Sequence, residues 1–135
     1  MSAEKYFLDT NVVLYLVSGE SKKADLADEL VNRGVVISVQ VLNECVAVAR
    51  RKWKLPWNEI HLLLGYLQSS CHIVPLAISM HERAVDSSEA TGIRIYDARL
   101  VAAAEDAGCD TLFTEDLNNG QRIGSVAIRN PFMPA

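Results

Sequence analysis

The sequence predicts a three-layer α/β domain in which helices cover both faces of a central, mainly parallel sheet of about five strands. Short apolar stretches with strand character alternate with longer segments of helical periodicity, as in parallel strands joined by helical crossovers. Two of the stretches, residues 35–38 and 111–114, are continuous apolar runs, which suits strands buried on both faces. A chain of 135 residues buries one sizeable core but rarely two, so we expect a single domain over residues 1–135.

The individual elements follow from local patterns along the chain. The predicted strands cover residues 6–9, 35–38, 72–76, 111–114 and 126–129. The predicted helices cover residues 12–17, 25–33, 39–53, 57–68, 79–90 and 98–107. Ser38 suits an N-cap, Pro56 suits a helix start, and the glycines at 34, 92 and 108 suit helix ends. The first helix is apolar on every side, which predicts that it is buried.

Composition excludes several classes of protein. The chain is 50% hydrophobic and 22% charged, which is typical of a folded domain. A net charge of -4 argues against a broad basic face for nucleic acid, although divalent cations bound by carboxylates can reverse the sign locally. No stretch approaches the roughly 18 apolar residues of a membrane span. Asp9 and Asn11 interrupt the one candidate signal peptide, and three scattered cysteines suit a reducing compartment. We therefore expect a cytoplasmic protein that does not enter a membrane.

Four acidic residues fall near the same rim of the predicted sheet. Asp9 ends the first strand, Glu44 lies in the helix after the second strand, Asp97 opens the helix YDARLVAAAEDAG, and Asp116 follows the strand TLFT. Ligands of parallel sheets collect at the carboxyl ends of the strands. Neighbouring carboxylates repel one another until a cation such as Mg²⁺ or Mn²⁺ neutralises them. The pattern indicates a metal site of the kind that cleaves phosphodiesters, in which two ions sit about 3.5–4 Å apart.

Several motifs, in order, resemble the PIN-domain ribonucleases, particularly the VapC-type toxins of prokaryotic toxin–antitoxin pairs. They are FLDTNVVLYL, LNE, YDARLVAAA and LFTEDLNNGQ, and they extend over essentially the whole chain. The resemblance implies a PIN-like α/β/α sandwich and a Mg²⁺- or Mn²⁺-dependent endoribonuclease. It also implies a homodimer and a cognate antitoxin that inserts into the active-site groove. The implied catalytic residues and metal ligands are Asp9, Glu44, Asp97 and Asp116, with Asn11 and Thr114 holding the carboxylates or a metal-bound water.

The chain departs from the family pattern at two positions. Tyr96 stands where these toxins often have tryptophan, and the aromatic character is kept. Arg99 stands where many relatives have an aliphatic residue, so we expect it either to contact substrate phosphate or to pair with Glu115 or Asp116. Arg122 is a further candidate for contact with RNA phosphate.

Each acidic residue also has a purely structural interpretation. Asp9 and Asp97 suit N-caps, Glu44 suits a solvated helix position, and Asp116 suits a turn. Glu115 competes with Asp116 as the fourth ligand. The order of the motifs favours a shared metal site over four unrelated roles.

Two other functions remain open from the residues. One is a phosphohydrolase that forms an aspartyl phosphate on Asp9, although such enzymes usually have a second aspartate where this chain has Asn11. The other is a non-catalytic PIN-like domain that binds RNA or a protein partner.

Overall fold

A computed structural model describes residues 5–133, and within them one six-stranded sheet forms the centre of the fold. The strands are β1 (Tyr6–Leu8), β2 (Val36–Ser38), β3 (His72–Val74), β4 (Thr111–Phe113), β5 (Arg122–Ile123) and β6 (Val126–Arg129). Their order across the sheet is β3-β2-β1-β4-β6-β5. All neighbouring strands are parallel except β5 and β6, which form an antiparallel pair at one edge.

Helices connect the strands and cover the sheet. They are α1 (Thr10–Val13), α2 (Ser21–Asn32), α3 (Val39–Lys52), α4 (Trp57–Ser70), α5 (Ile78–Thr91) and α6 (Ile95–Asp106), with a 3-10 helix, Leu14–Val17, directly after α1. Strands β2 and β4 are buried along their whole length, so both of their faces are covered. The predicted α/β class with a mainly parallel sheet is therefore confirmed. Among the helices of residues 5–133, none combines the length and apolar surface that a bilayer crossing requires.

The predicted number of strands was one too low. All five predicted strands exist, but β5 was missed because it has only two residues and begins with the charged Arg122. It pairs with β6 through a turn in which Gly124 adopts φ +59°. The predicted strand 72–76 ends at Val74, because the following Pro75 has no amide hydrogen to give to a neighbouring strand.

Some predicted helix boundaries were also wrong. α2 begins at Ser21 rather than residue 25, since its first turn contains no large apolar residue that a periodicity argument could detect. α6 begins at Ile95 rather than residue 98, which places Asp97 in the first turn instead of at the N-cap. The predicted helix 12–17 is divided between α1 and the 3-10 helix, and only its first half is fully buried.

The core consists of apolar side chains from the strands and from the helix faces that pack on them. Phe7, Leu8, Ile37, Leu112 and Ile128 are completely buried. Three free cysteines are buried as well, and desolvation raises the pKa of their thiols, to about 12 for Cys45 and about 11 for Cys71 and Cys109. These thiols act as small apolar groups.

Candidate metal centre

Three carboxylates from distant parts of the sequence meet at the carboxyl edge of the sheet. Asp9 follows β1, Asp97 lies in the first turn of α6, and Asp116 lies in the segment after β4. One carboxylate oxygen from each of them lies within 4.8 Å of the others. Asp9 and Asp97 are only 5% and 8% exposed, whereas Asp116 is exposed. An all-oxygen, anionic donor set with one open side fits a hard divalent cation such as Mg²⁺ or Mn²⁺.

Asp9 is held by three hydrogen-bond donors. Its Oδ1 accepts from the backbone amide of Thr10 at 2.6 Å, so Asp9 is also the N-cap of α1. Its Oδ2 accepts from the hydroxyl of Thr114 at 2.8 Å and from the side-chain amide of Asn11 at 3.5 Å. Asp9 is therefore both the N-cap of α1 and a member of the carboxylate cluster.

Asn11 and Thr114 connect Asp9 to the segment that carries Asp116. The Thr114 hydroxyl accepts from the amide of Asp116 at 3.1 Å and from the Asn11 side chain at 3.3 Å. The side-chain oxygen of Asn11 accepts from the amide of Glu115 at 3.4 Å. These contacts hold two of the three clustered carboxylates in a fixed relation.

Glu44 lines the same cavity but lies outside the group of three. The cavity has a volume of about 330 Å³, and its wall includes Asp9, Glu44, Asp97 and Asp116. Glu44 Oε2 accepts from the Thr10 hydroxyl at 3.0 Å, and Oε1 accepts from the side-chain amide of the buried Gln40 at 2.8 Å. The structure therefore brings three of the four predicted ligands together and holds the fourth at the cavity wall.

The electrostatics of the cavity disfavour its negative charges. Burial, with a smaller effect of the charges of Asp116 and Glu44, raises the pKa of Asp9 to about 7, although its hydrogen bonds with Thr114 and Thr10 lower it. Burial also raises the pKa of Asp97, while the nearby positive charge of Arg94 lowers it. A bound cation would relieve both the desolvation and the mutual repulsion.

Glu115, the competing ligand, is held away from the cluster. Its Oε1 accepts from the Tyr15 hydroxyl at 2.6 Å, and its Oε2 accepts from Lys23 Nζ at 3.2 Å. The Lys23 ammonium also lies 4.6 Å from the centre of the Tyr15 ring and 5.1 Å from that of Phe132. We call Tyr15, Lys23 and Glu115 the acid latch.

The two arginines predicted to contact RNA occupy different surroundings. Arg99 lies 5.9 Å from the centre of the Tyr96 ring, and among the described residues no ion pair joins it to Glu115 or Asp116. Arg122 lies in the wall of a second cavity, of about 500 Å³, that reaches Asp97 and Asp116. Arg122 is thus near the carboxylates, and Arg99 is not among the residues that line either cavity.

Sequence reasoning missed Arg94, Gln40 and the acid latch. Arg94 lines both cavities beside Asp97, but a single charged residue before a helix has no recognisable pattern. Gln40 stands four positions before Glu44 on one helix, and this spacing could have revealed the contact. The acid latch joins residues far apart in the sequence and left no local signal.

Comparison with known proteins agrees with this architecture. A chain from a toxin–antitoxin complex of Klebsiella pneumoniae superposes with a TM-score of 0.72 at 19% identity, over 95% of this chain and 98% of that one. VapC20 of Mycobacterium tuberculosis, a toxin that cleaves the sarcin–ricin loop, gives 0.68 at 17% identity, over 83% and 92%. VapBC2 of Rickettsia felis, bound to a fragment of its promoter DNA, gives 0.67 at 22% identity, over 93% and 97%.

Sequence comparison gives a result of its own. No curated protein matches the chain. The family model described as PIN domain matches residues 6–122, which include every predicted ligand position. The chain belongs to the PIN domain family.

Proposed function

We propose that this protein is a divalent-metal-dependent endoribonuclease and the toxin component of a type II toxin–antitoxin pair. The observation that carries the proposal is the convergence of Asp9, Asp97 and Asp116 within 4.8 Å from three separate parts of the sequence. Membership of the PIN domain family supports nuclease chemistry. The similar fold of VapC20, which cleaves RNA in the sarcin–ricin loop, supports RNA as the substrate.

In this proposal the three clustered carboxylates would hold Mg²⁺ or Mn²⁺, and Glu44 would add a further negative charge at the wall of the same cavity. When bound there, such an ion would supply positive charge to the phosphate and would lower the pKa of an attacking water. Thr114 and Asn11 orient Asp9 through the hydrogen bonds to its Oδ2. Both carboxylate oxygens of Glu44 accept hydrogen bonds, which fixes the orientation of its carboxylate.

The proposal includes two protein partners and a location. The Klebsiella pneumoniae relative is part of a toxin–antitoxin complex, which supports a cognate antitoxin for this chain. Large apolar side chains on the surface, such as Leu62 at 73% and Ile78 at 74% exposure, support self-association as a homodimer. Three unpaired buried cysteines support a reducing, cytoplasmic setting. Light scattering after gel filtration would measure the oligomeric state.

The decisive experiment is cleavage of a mixed cellular RNA pool by the purified protein, with Mn²⁺ or with EDTA. We expect Mn²⁺-dependent cleavage that falls at least about 100-fold in Asp9→Asn and Asp97→Asn, because each removes a negative ligand. Asp25→Asn is the matched control, since it makes the same change at an exposed position of α2.

The other outcomes identify the alternatives. Undiminished cleavage by both cluster variants would contradict the ligand assignment. Absence of both cleavage and saturable Mn²⁺ binding would favour the non-catalytic domain. Capture of a phosphate analogue on Asp9 would favour the phosphohydrolase.

A further inference from the structure

A second cavity, of about 500 Å³, adjoins the cavity that holds the carboxylates. Arg94, Asp97 and Asp116 line both, so the two spaces meet at these side chains. We propose that the second cavity binds one unpaired nucleotide of the substrate RNA beside the bond that is cleaved, and that Arg94 binds the adjoining phosphate. This inference rests on the proposed ribonuclease function and adds to it the residues that would hold the nucleotide beside the cleaved bond.

Two guanidinium groups at this cavity have donors available for phosphate. Arg94 is exposed, and no other side chain in residues 5–133 forms an ion pair or hydrogen bond with it. Its charge acts on the adjacent carboxylate of Asp97. Arg122 donates to the backbone oxygen of Ser125 at 3.2 Å, which leaves its other donors uncommitted. Guanidinium groups bind phosphate oxygens through paired, charge-assisted hydrogen bonds.

The rest of the wall has the chemistry that a base requires. Apolar side chains of Ile93, Leu117 and Ile123 provide surface for the face of a ring. Side-chain amides of Asn118 and Gln121 provide both donors and acceptors for its edge. Neither amide group contributes to the hydrogen bonds that hold the carboxylate cluster together. They are therefore available to a ligand.

The size and accessibility of the second cavity favour an unpaired nucleotide as its ligand. The volume of about 500 Å³ lies in the range in which proteins enclose small ligands. A paired base remains stacked in its helix, whereas bases of loops and ends turn outward and are bound singly. Tyr96, which is 57% exposed, lines the smaller cavity and offers a stacking surface to a neighbouring base.

Contacts behind the cavity keep its outer wall in place. Glu105 of α6 accepts hydrogen bonds from the amide and the hydroxyl of Ser125, each at 3.1 Å. Arg83 of α5 pairs with the other oxygen of Glu105 at 2.9 Å and also with Asp106. The turn that carries Arg122 is thereby attached to both helices that form the opposite wall.

The first test is titration of the four nucleoside 5′-monophosphates and of inorganic phosphate into the full chain with saturating Mg²⁺. We expect at least one nucleotide to shift the amide NMR signals of Gly92, Ile93 and Gln121. Arg94→Met should weaken that binding by about tenfold and reduce its salt dependence, because one phosphate contact is lost. Arg33→Met is the matched control, since Arg33 lies at the end of α2 and pairs only with Glu29 among the described residues.

Each other outcome of the titration overturns the proposal. Inorganic phosphate that binds as tightly as the best nucleotide would show a simple anion site. Unshifted signals with every nucleotide, or equal effects of the two arginine variants, would show that the cavity does not bind the substrate.

The second test uses RNA cleavage and separates this inference from the proposed function. Hairpin RNAs should be cut in their loops, and Gln121→Leu should change the preferred base without changing Mn²⁺ affinity. Gln68→Leu, at an exposed position of α4, is the control. Nucleotide binding without any cleavage would contradict the function and leave the cavity assignment standing. RNA cleavage that neither Arg94→Met nor Gln121→Leu changes would overturn the cavity assignment alone.

Discussion

The hydroxyl of Thr114 donates a hydrogen bond to Oδ2 of Asp9 over 2.8 Å, although 105 positions separate the two residues in the sequence. The same hydroxyl accepts from the amide of Asp116. One completely buried side chain therefore contacts one clustered carboxylate and the backbone of a second. Groups that hydrogen-bond to metal ligands fix the ligands in the orientation that the metal requires.

Replacing this hydroxyl should weaken metal binding. We expect Thr114→Val to lower Mn²⁺ affinity by about 10- to 100-fold in isothermal titration, because Asp9 and the segment with Asp116 lose their shared contact. Thr114→Ser keeps the hydroxyl and should bind Mn²⁺ much as the wild type does. Equal affinity in the valine variant would contradict a positioning role for Thr114.

The stability of the metal-free protein should depend on Asp9 and pH. Burial raises the pKa of Asp9 from 3.8 to about 7, so between these values the folded protein binds more protons than the unfolded chain. The contribution of Asp9 to the free energy of unfolding must then fall as pH rises from about 4 to about 7. Asp9→Asn removes this titration, so in EDTA at about pH 8 the variant should be more stable than the wild type by roughly 1–3 kcal/mol.

Urea denaturation at about pH 5 and pH 8, with and without Mn²⁺, measures this effect. Added Mn²⁺ should stabilise the wild type more than the variant, because a ligand of the folded state stabilises it more strongly the tighter it binds. A variant that is less stable than the wild type by the same amount at both pH values would argue against the raised pKa of Asp9.

The acid latch should support the metal centre from outside. Tyr15→Phe removes the 2.6 Å hydrogen bond to Glu115, the neighbour of Asp116. We expect a loss of about 1 kcal/mol in the free energy of unfolding, faster amide exchange in the segment after β4, and weaker Mn²⁺ binding. Tyr66→Phe is the control, since its hydroxyl bonds to Asp28 and Asn32 on α2. Identical Mn²⁺ affinity in both variants would show that the acid latch does not affect metal binding.

Two glycines should respond oppositely to alanine. A Cβ at Gly124 would clash with Oε2 of Glu105, and the backbone there has φ +59°, so Gly124→Ala should destabilise the protein by about 1–2 kcal/mol. Gly65 lies inside α4, where an added methyl group would meet nothing within 4 Å, so Gly65→Ala should stabilise the protein by about 0.5–1 kcal/mol. Thermal unfolding of both variants measures the difference, and a Gly124→Ala variant as stable as the wild type would mean that Glu105 moves freely.

The strands and the acidic positions could be predicted because they depend on short-range patterns. β2 continues the short apolar run 35–37, β4 contains Leu112 and Phe113 and no charge, and Asp9 directly follows the apolar run of β1. β5 was not predictable in the same way, since a two-residue strand exists only through its partner β6 and the turn between them. Its stability comes from pairing and from Glu105, not from its own sequence.

The unequal roles of the acids could not be predicted. Glu44 belonged to the same predicted set as Asp9, Asp97 and Asp116, but its contact with Thr10 depends on how α3 packs beside α1. The position of Arg94 likewise depends on two cavities that exist only after α5, α6 and the segment after β4 have come together. Spacing along a chain carries no information about such three-way packing.

The order of the strands also governs when the candidate metal centre can assemble in a cell. β1 is central in the sheet, and its second neighbour is β4, whose last residue is Phe113. A ribosome adds about 5–20 residues per second, so the hundred or so residues between β1 and β4 take on the order of ten seconds to synthesise. Throughout that interval Asp9 cannot contact Thr114 or Asp116, because these residues have not yet been synthesised. The nascent chain thus carries no assembled carboxylate cluster until synthesis has passed Asp116.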